Sequence, residues 1–123
     1  MPHLIIEYSR NLEEDCDIAE LVAVAHKTAQ ASPVFNPVAV RTRAIPVDHY
    51  LIADGDPARA FIQLYIRIKP GRPTETKMEL GRAVHQAVKD FLASTVAGRG
   101  LAFNVEVQDV ADTSVRFRSW GKP

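Results

Sequence analysis

Pro-His-Leu-Ile-Ile-Glu-Tyr, residues 2–8, predicts the β-strand around which the rest of the chain can be arranged. Every second side chain belongs to one apolar face, made of Leu4, Ile6 and Tyr8. A small second residue favours removal of Met1, and removal would leave Pro2 with a free secondary amine. Such an amine can accept and release a proton, unlike an amide nitrogen, and the proline ring fixes its direction at the start of the strand.

Length and composition predict one domain over residues 1–123 and exclude several classes of partner. Fifteen basic and fifteen acidic residues cancel, so no basic field favours nucleic acid. No apolar run approaches the roughly 20 residues of a membrane helix. The four histidines lack ligand spacing, which predicts no metal site. A single cysteine, Cys16, in an acidic stretch fits a reducing compartment and not a nucleophile, and no signal-peptide pattern is present, so we expect a cytoplasmic protein.

A helix is predicted after the first strand. Asp17 and Glu20, three residues apart, match a capping box. The apolar stripe that follows has helical spacing and consists of Ile18, Leu21, Val22, Ala25 and Ala29. Ser32-Pro33 predicts the end of the helix, because proline disfavours helical geometry in the residue before it.

Residues 38–47 predict a second strand, in which Pro46 indicates a sheet edge or a bulge. Two basic side chains share one face of this strand, Arg41 and Arg43. Residues 48–57 predict a loop, with a short strand as an option around residues 50–52.

The second half of the chain repeats the order of strand, helix and strand. Residues 58–69 predict the longest strand, with one aliphatic face made of Ala60, Ile62, Leu64, Ile66 and Ile68. Its other face carries two aromatic side chains, Phe61 and Tyr65. Pro73 suits the first position of a helix, and Gly98 suits the position where a helix stops. The helix predicted between them has an apolar stripe, which consists of Leu80, Ala83, Val84, Ala87, Val88, Phe91 and Leu92. A last strand is predicted from Ala102 to near Val110, and the tail to Pro123 is weakly patterned.

Two β-α-β units predict an α/β (α+β) fold, a four-stranded mixed sheet with two helices on one face. The other face of the sheet is then uncovered, although it carries aromatic side chains. An exposed aromatic face with free strand edges predicts self-association.

The chain resembles the tautomerase superfamily, and within it the 5-carboxymethyl-2-hydroxymuconate Δ-isomerases, from Pro2 to near Val107. The stretches that carry the resemblance are Pro2-His3, Val40-Arg-Thr-Arg43, Ala53-Asp-Gly55 and Gly71-Arg72. The resemblance implies a homotrimer whose sheets face inward, no metal and no organic cofactor. It also implies three catalytic residues, which are Pro2, Arg41 and Arg72.

The implied reaction is a keto–enol isomerisation of an unsaturated polycarboxylate in aromatic-acid (homoprotocatechuate) catabolism. The amine of Pro2 moves a proton from a 2-hydroxyl group to a distal carbon. Arg41 and Arg72 bind carboxylates of the substrate and lower the pKa of the amine, and Arg43 is a further candidate for substrate binding.

Other interpretations of these residues stay open. Arg41 and Arg43 can be solvated side chains of an exposed strand, and Arg72 can be a surface charge at a helix start, although the helix dipole favours anions there. Another tautomerase activity, 4-oxalocrotonate- or phenylpyruvate-like, fits the same pattern. So does a non-enzymatic oligomer that binds a carboxylate. The state of the N-terminus separates these interpretations, because retained Met1 makes the nitrogen of Pro2 an amide.

Overall fold

The two predicted β-α-β units are present in the computed structural model, which describes residues 2–94, 96 and 99–121. In chain order the elements are β1 His3–Ser9, a 3-10 helix Arg10–Glu14, α1 Ile18–Gln30, a 3-10 helix Pro37–Ala39, β2 Arg41–Val47, β3 Ala60–Ile68, α2 Thr74–Leu92 and β4 Leu101–Asp109. The helix stop expected at Gly98 lies outside the described residues. No described helix has the length and apolar character needed to cross a membrane.

The four strands form one mixed sheet in the order β2-β1-β3-β4. β1 runs parallel to β2 and antiparallel to β3, and β3 runs parallel to β4. The register places His3 opposite Arg41 on one side and opposite Arg67 on the other. β2 is an edge strand, which explains how it accommodates Pro46. The predicted four-stranded mixed sheet is therefore confirmed.

Both helices pack on one face of this sheet and bury the aliphatic sides of its strands. The predicted apolar faces of β1 and β3 are buried, as are the centres of the helix stripes at Leu21, Ala25, Ala29, Leu80, Val84, Val88 and Leu92. Ala83, which was expected in the stripe of α2, is exposed. Consecutive helical residues point about 100° apart. Because Val84 points into the core, the neighbouring Ala83 points towards solvent.

The second strand begins three residues later than predicted. Pro37–Ala39 form a short 3-10 helix, in which the Asn36 side chain accepts a hydrogen bond from the backbone N–H of Val38 at 3.3 Å. The cap and the fixed φ of Pro37 favour this turn over an extended backbone. β2 therefore starts at Arg41, where the backbone N–H donates to the carbonyl of Pro2 at 3.1 Å.

The start of β3 is also later than predicted, for a related reason. The carboxylate of Asp56 accepts a hydrogen bond from the N–H of Ala58 at 2.9 Å, and its carbonyl accepts one from Arg59 at 3.2 Å. This turn holds both residues out of the sheet. β3 and β4 have nine residues each, so β3 is not longer than every other strand. The optional strand around residues 50–52 is absent, because these residues pair with no described strand.

The helix ends differ from expectation by one or two residues. The Asp17 side chain accepts a hydrogen bond from the N–H of Glu20 at 3.2 Å, which confirms the N-cap of α1. α1 ends at Gln30, two residues before Ser32-Pro33. Pro73 is the N-cap residue of α2 and not its first helical residue, since its ψ of 153° is extended.

Candidate active site

Pro2 lies directly before β1 and is buried at the start of the sheet. Its carbonyl accepts the hydrogen bond from Arg41, so the parallel pairing of β1 and β2 holds its backbone in place. Pro2 also lines a cavity of about 510 Å³ at this end of the sheet. A cavity of this size is in the range of small-molecule sites.

The chain segments around this cavity are distant in sequence. The loop after α1 contributes Val34, Phe35 and Asn36, and Ala39 follows from the next turn. The cationic part of the lining comes from the turn before α2 and from the tail, and it consists of Lys69, Arg72, Arg116 and Arg118. No carboxylate belongs to the described lining. The cavity is therefore suited to an anionic ligand.

Arg72 is held in the cavity wall by two backbone carbonyls. Its guanidinium donates to the carbonyl of Val34 at 2.8 Å and to the carbonyl of Lys69 at 3.3 Å. The preceding Gly71 has a φ of +111°, which a side chain would disfavour, and this conformation turns the chain from β3 into α2. A guanidinium has five N–H donors, so Arg72 keeps donors for a ligand.

Arg41 and Arg43 lie on the open face of the sheet, the face without helices, and neither belongs to the cavity lining. The guanidinium carbon of Arg41 lies 5.3 Å from the ring centroid of Trp120, a cation–π contact. A guanidinium nitrogen of Arg43 lies 3.3 Å from Nδ1 of His3. The structure therefore brings together Pro2 and Arg72, connects Arg41 to Pro2 through the backbone, and places Arg43 farther along the open face.

The electrostatic field at the start of β1 opposes further positive charge. Burial lowers the pKa of His3, and the nearby guanidinium groups of Arg43 and Arg41 lower it further. His3 is the neighbour of Pro2 in the chain. A protonatable amine at Pro2 would lie near the same guanidinium groups, which disfavour a further positive charge.

The tail contributes side chains that the weak pattern after residue 110 did not predict. Arg116, Phe117 and Arg118 line the cavity, and the indole N–H of Trp120 donates to the carbonyl of Val38 at 2.8 Å. The signal in the sequence is the cluster Arg-Phe-Arg-Ser-Trp, residues 116–120, which concentrates cations and aromatics in an otherwise irregular segment. Lys69 was not among the predicted site residues either, because it falls within residues 58–69, which were predicted as a strand.

Two alternative chemistries receive no support from the described residues. Cys16 is buried, and burial together with Asp17 raises the pKa of its thiol to about 11, so it does not provide a thiolate near neutral pH. Over the described part of the chain, no group of three or more His, Cys, Asp or Glu side chains could hold a metal ion.

Solved structures of low sequence identity share this architecture. A fused 4-OT, described as a symmetric trimer, is 17% identical and superposes with a TM-score of 0.64 over 92% of this chain and 89% of its own. At this identity the likeness establishes the fold alone. The chain has the tautomerase fold, with a proline at the start of its first strand.

The chain belongs to the 5-carboxymethyl-2-hydroxymuconate isomerase family, whose model matches residues 2–119. It is 30% identical to the 5-carboxymethyl-2-hydroxymuconate Delta-isomerase of Escherichia coli over 92% of this chain and 90% of that protein. A 5-carboxymethyl-2-hydroxymuconate isomerase from Deinococcus radiodurans R1 is 34% identical, with a TM-score of 0.83 over 95% of this chain and 88% of its own. The protein is therefore an isomerase, and the resemblance noted in the sequence is confirmed.

Proposed function

We propose that the amine of Pro2, freed by removal of Met1, is the acid–base group of a keto–enol isomerisation. The observation that carries the proposal is that Pro2 and Arg72 line one cavity, together with three further cations and no carboxylate among the described lining. A buried amine beside an anion-binding site can meet a substrate that carries both a carboxylate and an acidic hydroxyl group.

The proposed substrate is 5-carboxymethyl-2-hydroxymuconate, the compound named for the relatives in this family. The neutral amine takes the proton of the 2-hydroxyl group, and a carbonyl forms as the electron pair moves through the conjugated system. The resulting ammonium group returns one proton to the distal carbon. The proton count balances, and the step requires no oxidant or reductant.

The amine must be neutral to act as the base. An α-amine has a pKa near 8, and the cations of the cavity should lower that pKa, just as burial and then Arg43 and Arg41 lower the pKa of His3. We therefore expect kcat/KM to rise with pH through an ionisation below the usual α-amine value.

Arg72 is proposed to bind one substrate carboxylate from the cavity wall, where its fork of donors suits bidentate contact. Arg41 is proposed to bind a second carboxylate at the boundary between the cavity and the open face. An arginine near the forming carbonyl oxygen would also stabilise the charge that develops there. Arg43, which lies beside His3, is proposed as a more distant contributor to this positive field.

A homotrimer is proposed as the working state. The supporting observation is the open face of the sheet, where the half-buried Phe61 and Tyr65 lie on the side away from both described helices. The fused 4-OT with the same fold is described as a trimer. The expectations of a single domain and of a cytoplasmic location stay predictions.

The state of the N-terminus provides the test. Three proteins, each verified by intact mass, are compared on 5-carboxymethyl-2-hydroxymuconate: the processed form, a form that retains Met1, and Pro2→Ala. The Met1-retaining form should lose about 10²–10⁴ in kcat/KM, the usual contribution of a positioned acid–base group. Pro2→Ala keeps an amine but loses the ring that directs it, so its activity should fall without vanishing.

Circular dichroism of all three proteins controls for folding. If the Met1-retaining form isomerises the substrate as fast as the processed form, the amine of Pro2 is not the base and the proposed mechanism is wrong.

A further inference from the structure

The tail after β4 returns to the start of the sheet and closes one side of the cavity. Arg116, Phe117 and Arg118 line it from a segment without helix or strand, and the turn before α2 contributes Lys69 and Arg72 to the same lining. The cationic lining thus comes from two independent parts of the chain.

Two residues, Trp120 and Gly121, anchor this segment. Trp120 donates its indole N–H to the carbonyl of Val38 at 2.8 Å and lies over the guanidinium of Arg41. Gly121 packs so closely on Val38 that an added Cβ would lie 2.8 Å from the Cγ2 atom of Val38. The tail is therefore docked at residues 120–121, directly after the side chains that line the cavity.

The cationic charge of the cavity exceeds what a dicarboxylate requires. Arg72 and Arg41 are already assigned to two carboxylates. Within the described part of the chain, Lys69 and Arg116 take part in no ion pair, and the half-buried Arg118 belongs to the same lining. Like charges that share a cavity repel one another unless an anion compensates them.

We propose that Lys69, Arg116 and Arg118 form a second anion subsite, which binds an additional carboxylate carried on a side arm of the substrate. This inference rests on the proposed function and deepens it, because it makes the tail the part of the chain that selects a tricarboxylate over a dicarboxylate. Phe117, whose side chain is 83% exposed, supplies an apolar wall beside the subsite for the carbon atoms of the arm.

Two substrates that differ by one group provide the test. 2-Hydroxymuconate and its 5-carboxymethyl derivative share the dienol and both terminal carboxylates, so only the arm distinguishes them. In the double variant Arg116→Gln/Arg118→Gln, KM for the carboxymethyl substrate should rise about tenfold, the loss expected for two partly exposed charge contacts. KM for 2-hydroxymuconate should change less than about twofold, and any change in kcat, caused by a higher pKa of the Pro2 amine, should be the same for both substrates.

The matched variants separate charge from structure. Arg116→Lys/Arg118→Lys keeps the charges and should restore most of the preference for the carboxymethyl substrate over 2-hydroxymuconate. Arg82→Gln removes an exposed arginine from α2 and should change neither KM. Equal losses of the double variant on both substrates would overturn the subsite while leaving the isomerase intact. If the unsubstituted protein converts neither substrate, the proposed function fails instead.

A binding measurement tests the subsite without catalysis. Propane-1,2,3-tricarboxylate and glutarate cannot undergo the reaction, and Trp120 is the single tryptophan of the chain, so its fluorescence reports binding near the tail. The protein should bind the tricarboxylate more tightly than glutarate, and the double glutamine variant should lose that preference. Equal affinities in the unsubstituted protein would overturn the proposal.

Discussion

Arg72 shows how one side chain can serve both structure and ligand binding. Its guanidinium reaches the carbonyl of Val34 in the loop after α1 and the carbonyl of Lys69 at the end of β3. These hydrogen bonds satisfy two backbone carbonyls that lie outside helices and strands. They also orient the guanidinium group of Arg72 in the cavity wall. Because a lysine has a single donor centre, it cannot reproduce this arrangement.

Replacing Arg72 should therefore impair catalysis more than it impairs folding. Arg72→Ala is expected to lose roughly 2–5 kcal/mol of transition-state stabilisation, the range for removing one partner of a desolvated charge pair. Arg72→Lys should recover only part of this loss, since it restores the charge and not the fork. Steady-state kcat/KM on 5-carboxymethyl-2-hydroxymuconate measures both effects.

Arg82→Ala is the matched control, because Arg82 is exposed on α2, the helix that follows Arg72, and forms a surface ion pair with Glu75 at 3.6 Å. Thermal unfolding of each variant shows whether folding is affected. An Arg72→Ala enzyme with unchanged kcat/KM would remove Arg72 from the site.

The tail behaves as an element although it has no regular secondary structure. Its position depends on the hydrogen bond of Trp120 and on the close approach of Gly121 to Val38. Gly121 has a φ of +70°, a conformation that costs a residue with a side chain about 1 kcal/mol or more. The backbone conformation and the packing therefore both require glycine here.

Gly121→Ala should undock the tail without unfolding the sheet. The added methyl group would meet Val38 and strain the backbone, so Trp120 should lose its partner. Acrylamide quenching of Trp120 fluorescence should increase, and the emission maximum should shift to longer wavelength.

Ser119→Ala changes the neighbouring exposed residue of the same segment and serves as the control. The far-ultraviolet circular dichroism should be the same for both variants. Unchanged quenching in Gly121→Ala would show that the docked arrangement of the tail does not depend on Gly121.

The molecule presents an unusual surface for a chain of this size, because no described helix covers one face of its sheet, which meets Tyr50 of a loop and Trp120 of the tail. Ile5 lies at the centre of this face, between Arg43 of β2 and Tyr65 of β3. Aliphatic and aromatic groups in such a position favour association, since burial of apolar area stabilises the assembled state by about 25 cal/mol per Å².

Ile5→Glu should convert the proposed trimer into monomers. Glu at position 5 would lie beside Arg43, but burial of this ion pair between subunits carries a desolvation penalty, whereas the same pair on a free surface would be tolerated. Multi-angle light scattering at micromolar concentration measures the mass of the assembly in solution.

Leu51→Glu makes the same chemical change in a loop, at a side chain that is 89% exposed, and should leave the mass unchanged. A monomeric unsubstituted protein would contradict the trimer. A trimer that survives Ile5→Glu would place the contacts between subunits elsewhere than the open face.

Local pattern was enough to predict the elements of the fold and part of the site. Alternation in residues 2–8 and in β3 separated the buried face from the open face, and helical spacing identified the two stripes that cover the sheet. These predictions succeed because burial of apolar side chains is periodic with the backbone geometry. Pro2 was a candidate from its position at the start of the chain and Arg72 from the family resemblance, and both line the cavity.

Only the tertiary structure decided the surroundings of Arg41, Arg116 and Arg118. Arg41 leads its strand beside Pro2, but strand alternation sends its side chain to the open face and towards Trp120. Arg116 and Arg118 carry no periodic signal, because an irregular segment is placed by long-range contacts and not by backbone repeat. Proximity between residues more than eighty positions apart, such as Val38 and Trp120, depends on packing of the whole chain, which no local pattern encodes.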